Sequence, residues 1–185
     1  MENGKRKILT ILNSFTGRDG EPNDEYEFYI LLALWVMMLS EFESSIKALI
    51  EDYITEIKRK DILDIHICLL IRNFHGNKED ELTLNKIISF YKKKTDDISF
   101  ANFTKDRVPK YKYQSVVKLF NNVGIFFNDE EHNSIRFLDG LASTRDSIAH
   151  GDHGVGITAY EIKNNLEKLE NLLNILKNKL SNALE

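Results

Sequence analysis

Residues 28–39 read Phe-Tyr-Ile-Leu-Leu-Ala-Leu-Trp-Val-Met-Met-Leu, twelve apolar positions without a break. The run is too short to span a bilayer, which takes about 20 such residues in a helix. A helix that is apolar all the way round has to be covered on more than one side. It therefore belongs at the centre of a helical bundle or in an interface between subunits. Upstream, Asp24 and Glu27 have the spacing of a capping box, with Asp in place of the usual Ser or Thr, and predict where the helix starts. Downstream the spacing turns amphipathic through Phe42, Ile46, Leu49, Ile50, Tyr53 and Ile57. Lys58, Arg59 and Lys60 then bring positive charge to the helix C-terminus, where it is favoured.

The rest of the chain is helical in pattern too. A second helix is expected over 61–74, closed by Gly76, and a third over 83–94 with Leu84, Ile87, Ile88 and Tyr91 on its apolar side. A fourth runs over 113–123 with Val116, Val117, Leu119 and Phe120, and stops at Gly124. Asn128 and Glu131 form a capping box that opens the next helix, which continues to Ala149 and ends against Gly151. Gly140 sits in its interior, at a cost of about 1 kcal/mol relative to alanine, and suits a place where another helix passes closely. Thr158 and Glu161 cap the last helix, over 159–182. Its Ile162, Leu166, Leu169, Leu172 or Leu173, Leu176 and Leu180 have the near-heptad spacing of a bundle member or a pairing surface. With no strand pattern and no internal repeat, the expected fold is all-α, a bundle of about five principal helices. Residues 1–23 form an N-terminal head. There Ile8, Leu9, Ile11 and Leu12 suit a short docking helix or a partly ordered tail, and Gly17, Gly20 and Pro22 suit a loop. The helical domain proper spans 24–185.

Composition narrows the function classes. A chain of 185 residues buries one core as a single domain. Its one cysteine, Cys68, excludes an internal disulfide and a thiolate-rich zinc site. His66 and Cys68 lie among Ile65, Ile67, Leu69 and Leu70 and read as core or boundary residues rather than ligands, so neither a metal nor a cofactor is expected. Lys5-Arg6-Lys7 leads into only a few apolar residues and does not make a signal peptide. A cytoplasmic protein with no membrane attachment is the expectation. The formal net charge of −4 argues against a protein that coats nucleic acid, but leaves room for an enzyme that touches RNA through a local basic cleft. Lys105, Arg107, Lys110, Tyr111 and Lys112, followed by Tyr113, interleave cations with aromatic rings. That composition suits a surface that tracks phosphates and stacks on bases, or a solvated loop leading into the next helix.

The chemistry concentrates at the end of the helix that Asn128 opens. Leu138, Leu141 and Ile148 mark one face of it, and Arg145 falls on the same stripe. A guanidinium on an apolar seam is costly unless a partner or an anion satisfies it. Five residues later comes His150, of the residue type that exchanges protons nearest neutral pH. An arginine that clamps charge beside a histidine that moves protons points to phosphate chemistry. On one helix, residues five apart differ by roughly 140° in direction and about 7.5 Å in height. Both side chains meet one phosphate only if the helix ends between them, the arginine stem reaches round, or a second copy of the chain supplies the missing half.

The segment 141–151, Leu-Ala-Ser-Thr-Arg-Asp-Ser-Ile-Ala-His-Gly, resembles the Arg-x4–6-His signature of the HEPN superfamily, and its trailing Ile-Ala-His-Gly is similar to prokaryotic members associated with toxin–antitoxin and phage-defence loci. The polar residue after the arginine is most often Asn in that family, and here it is Asp146. The resemblance implies a HEPN-like helical bundle and a homodimer with two motifs facing across a shared cleft. It also implies metal-independent cleavage of RNA to a 2′,3′-cyclic phosphate and a 5′-hydroxyl. Arg145 and His150 would be catalytic, with Asp146, Ser147 and His153 as auxiliary groups. The implied partners are RNA, a second copy, and an antitoxin or defence-system protein. Two other readings stay open: a non-catalytic HEPN-like module that binds RNA, nucleotide or a partner, and a structural helical adaptor.

Overall fold

A computed structural model describes residues 2–60, 111–152 and 154–185. The helices expected over 61–74 and 83–94, with His66 and Cys68, lie outside the described residues. Those described form α1 (Glu2–Leu12), a 3-10 turn (Arg18–Gly20), α2 (Glu25–Lys60), α3 (Tyr113–Asn122), α4 (Asp129–Ile135), α5 (Phe137–Ala149) and α6 (Ala159–Asn182). No strand occurs among them, and the fold is all-α as the pattern predicts.

The long helix α2 organises the bundle. Asp24 accepts the Glu27 N–H at 2.8 Å, while the Glu27 carboxylate accepts the N–H of Asn23 at 2.7 Å. The return bond of the capping box is thus shifted one residue upstream. From Leu31 through Trp35, Met38, Phe42, Ile46, Ile50, Tyr53 and Ile57, steps of three and four residues carry one continuous buried stripe. Among the described elements its most extensive pairing is with α6, which buries Ile162, Leu166, Leu169, Leu172, Leu173, Leu176 and Leu180. Each such side chain contributes about 1.5–3 kcal/mol over its exposed state. Leu32, Leu34 and Leu39 widen the buried face of α2, while Tyr26 and Tyr29 stay exposed. By length and composition the whole of α2 could cross a membrane, although the uninterrupted apolar run is too short. Many of the residues that make it so apolar pack inside the bundle.

Helix α1 docks on α2 and α6, with Ile8 and Leu12 buried in the same core and Lys5 paired to Glu170. Thr158 opens α6 with a complete capping box: its hydroxyl accepts the Glu161 N–H, and the Glu161 carboxylate accepts the Thr158 N–H.

The helix expected to run unbroken from Asn128 is divided. Its capping box is complete, with Glu131 N–H donating to Asn128 Oδ1 at 2.9 Å and Asn128 N–H to Glu131 Oε2 at 2.7 Å. The break falls at Arg136, whose carbonyl takes the Asp139 N–H at 3.1 Å, a bond three residues on rather than four. Among the described residues nothing lies within 4 Å of where a Cβ on Gly140 would stand, so this glycine makes no room for any of the described helices. At the far end Gly151 takes φ +77°, a backbone that L side chains rarely adopt. Asp152 N–H then donates to Ser147 O at 3.0 Å, and Gly151 N–H to Ile148 O at 3.1 Å. This is a Schellman closure, and it leaves His150 as the last residue before the chain turns away.

Candidate active site at the end of helix α5

Arg145 is the first group of the motif to need a partner, because it stands on the stripe of buried Leu138 and Leu141. Its guanidinium is half-buried and finds two. Nη1 lies 3.5 Å from Asp146 Oδ1, and Cζ lies 5.8 Å from the centroid of the Tyr111 ring, a cation–π distance. Tyr111 itself is only 4 % exposed. Burial pushes its phenol above the ordinary range, with the Arg145 charge opposing, and its hydroxyl has no hydrogen-bond partner among the described residues. The ring therefore lies under the arginine and is not offered to solvent for stacking on bases, unlike the expectation from the basic, tyrosine-containing run.

Asp146 has a second and closer contact. Lys112 Nζ donates to its Oδ2 at 2.8 Å. That hydrogen bond holds the Asp146 carboxyl below the usual aspartate range against the opposing effect of burial, and it raises the Lys112 ammonium above its ordinary value. Lys112 arrives from 34 residues upstream because it is the N-cap of α3. The entry of α3 is tied to α5 by Asp139 Oδ1, which accepts the Tyr113 N–H at 3.1 Å. Tyr113 Oη in turn lies 3.0 Å from His132 Nδ1, and Arg136 sits over the Tyr113 ring. These contacts fix the junction from which Lys112 reaches the motif.

Lys112, Asp139, Ala142, Ser143, Asp146, Ser147, His150 and Asp152 line an open cleft of about 530 Å³. His150 is exposed at its rim. Arg145 does not line this cleft; it lies to one side, joined to it through Asp146. The structure thus gathers Lys112, Asp146, Ser147 and His150 but sets Arg145 on a neighbouring face. Of the three geometries that would bring both motif residues to one phosphate, an end of the helix between them is not realised, since α5 continues through Ala149. Lys105, Arg107, Lys110 and His153 lie outside the described residues.

Asp139 and Ser143 are cleft residues that the motif alone did not flag. Their signal is the spacing 139, 143, 146 or 147, and 150, which follows one helical face back from His150. The Lys112–Asp146 pair had no comparable signal. Among the described residues no group of three or more His, Cys, Asp or Glu is arranged to hold a metal ion.

Compared with known proteins, residues 3–182 match the model of the family described as RiboL-PSP-HEPN. No curated protein and no solved structure gives a match.

Proposed function

Because the chain belongs to the HEPN family, whose domains are often ribonucleases, we propose that it is a metal-independent endoribonuclease with its site at the end of α5. The observation that carries this reading is the exposed His150 on a cleft that also holds Lys112 and Ser147, with the Arg145 guanidinium alongside. In the reaction the ribose 2′-oxygen attacks phosphorus as its proton passes to one imidazole. The bond from phosphorus to the 5′-oxygen breaks, and that oxygen takes a proton from an acid. A 2′,3′-cyclic phosphate and a 5′-hydroxyl result. His150 serves as base or acid, and two copies in a homodimer divide those roles. Arg145 stabilises the charge that builds on the non-bridging phosphate oxygens.

The homodimer is part of the proposal. Within one chain Arg145 lies off the cleft that His150 lines, so a second copy supplies the arginine that the first cannot present. Ser147 orients the scissile phosphate, and His153 is an auxiliary proton carrier. An enzyme of the toxin or defence kind acts in the cytoplasm and is held in check by a partner protein.

The test is incubation of purified protein with labelled RNA, with and without EDTA. Cleavage that EDTA leaves unchanged, with cyclic phosphate ends, supports the enzyme. Retained RNA without cleavage replaces it by a binding module, and no interaction leaves a helical adaptor.

A further inference from the structure

Three carboxylates line the cleft, and they do different things. Asp139 accepts the backbone N–H of Tyr113, and Asp152 accepts that of Gly154 at 2.9 Å. Both are spent on holding the chain. Asp146 instead holds two cations, one on each oxygen: Lys112 Nζ at 2.8 Å on Oδ2, and Arg145 Nη1 at 3.5 Å on Oδ1. Lys112 comes from α3 and Arg145 from α5, so the carboxylate bridges two elements that otherwise present converging positive charge. The pair is not a sealed structural one. Lys112, Asp146 and Arg145 side chains are 39 %, 36 % and 35 % exposed, open to an incoming ligand.

A carboxylate and a phosphodiester make the same demand on such groups: anionic oxygens that accept charge-assisted hydrogen bonds. We propose that Lys112 and Arg145 of one copy form a two-cation site for an RNA phosphate beside the cleft, a site which Asp146 occupies in the free protein, so that Asp146 sets how strongly the protein takes RNA. The proposal rests on the ribonuclease reading above and adds to it a third binding group and an internal competitor. RNA enters by exchange: a phosphate oxygen replaces the Asp146 oxygen on Lys112. Because an exposed ion pair is worth at most about 1 kcal/mol, the exchange is reversible and graded. Backbone charge alone is a weak entry signal at such a site. An RNA with additional contacts, to the cleft or to a second copy, is favoured over an arbitrary strand.

The test uses a short 2′-O-methyl RNA, which has no 2′-hydroxyl to attack and is therefore not cut. Its binding is followed by fluorescence anisotropy across a salt series, for wild type, Asp146→Asn, Lys112→Met, the double variant and Arg145→Ala. Asp146→Asn keeps the shape and removes the charge. It should lower Kd by at least about threefold and steepen the salt dependence of log Kd by about 0.7 per freed cation. In the Lys112→Met background the same change should lose most of that gain, a coupling that a general loss of negative charge would not produce. An Asp146→Asn protein that binds no more tightly, with an unchanged salt slope, overturns the proposal. If Arg145→Ala still weakens binding in that case, the ribonuclease reading stands without it. If Arg145→Ala and Lys112→Met both bind as wild type does, the site itself is misassigned and both fall.

Discussion

The indole of Trp35 donates to the carbonyl oxygen of Leu141 at 3.2 Å, a buried hydrogen bond across 106 residues of sequence. It joins the N-terminal third of α2 to α5 one turn before Arg145. A buried indole N–H without a partner is costly, and a helix carbonyl with two lone pairs can take a second donor. The bond therefore sets the rotation of α5 about its own axis, and with it the side on which Arg145 emerges.

Trp35→Phe keeps most of the ring and removes the donor. It should cost about 1 kcal/mol, read as a fall of about 2–4 °C in the thermal midpoint for a chain of this size. Cleavage at 25 °C should drop further than the unfolded fraction explains, because the motif loses its register. An unchanged midpoint and an unchanged rate would show that the bond does not hold the helix.

Acid should loosen the α3–α5 junction through Asp146. Its carboxyl is held below the usual value, mainly by the hydrogen bond from Lys112. A depressed carboxylate gives stability that is present above the unfolded pKa, about 3.9 for Asp, and lost as pH falls through the folded one. Lys112 is raised, so its share is complete below about pH 10 and lost as pH climbs through its folded value. Glu131 is also lowered: burial pushes it up, but the bonds from Lys179 and the Asn128 N–H outweigh that. Thermal midpoints measured between pH 2 and 6 should therefore fall less steeply on acidification in Asp146→Asn and in Glu131→Gln than in wild type. Parallel curves for all three proteins would mean that neither pair contributes.

What the sequence discloses about this fold depends on how far apart the cooperating residues lie. The boxes at Asn128–Glu131 and Thr158–Glu161 and the turn at Gly151 are local chemistry, and each stands where its spacing says. The leucine stripe of α6 is equally legible, because one helix face repeats it. The break at Arg136 is not: its backbone angles are ordinary helical ones, φ −58° and ψ −27°, so no residue type announces it. Tyr111 looks like a surface residue because cations flank it, yet tertiary packing lays its ring under Arg145. The partnership of Lys112 with Asp146 exists only once α3 and α5 meet. The motif could be read along the chain, but the competition for its arginine could not.

Assembly is tested by mixing. If each active site takes its arginine from one copy and its histidine from the other, Arg145→Ala and His150→Ala proteins are inactive alone. Refolded together they should regain part of the cleavage, because the mixed dimer sets one arginine opposite one imidazole but lacks the second imidazole, and the wild type should have a dimer mass by light scattering at micromolar concentration. A monomer that cuts RNA, or a mixture as inert as its components, would require both residues to act from one chain.

The sharpest prediction concerns the two motif residues in the chemical step. His150→Gln keeps polarity and similar size at an exposed helix end, where the Schellman closure depends on backbone rather than on the side chain. It should fold, dimerise and bind 2′-O-methyl RNA as wild type does. It cannot shuttle a proton, and general acid–base catalysis is worth about 10²–10⁴-fold, so its single-turnover cleavage should fall by at least about 100-fold. Arg145→Lys keeps the charge but loses the planar fork that spans two phosphate oxygens and stacks on Tyr111. It should retain binding within about tenfold and only a small fraction of the rate. Cleavage by His150→Gln at a rate close to wild type would take the imidazole out of the mechanism, and the chemistry would then have to come from the other groups that line the cleft.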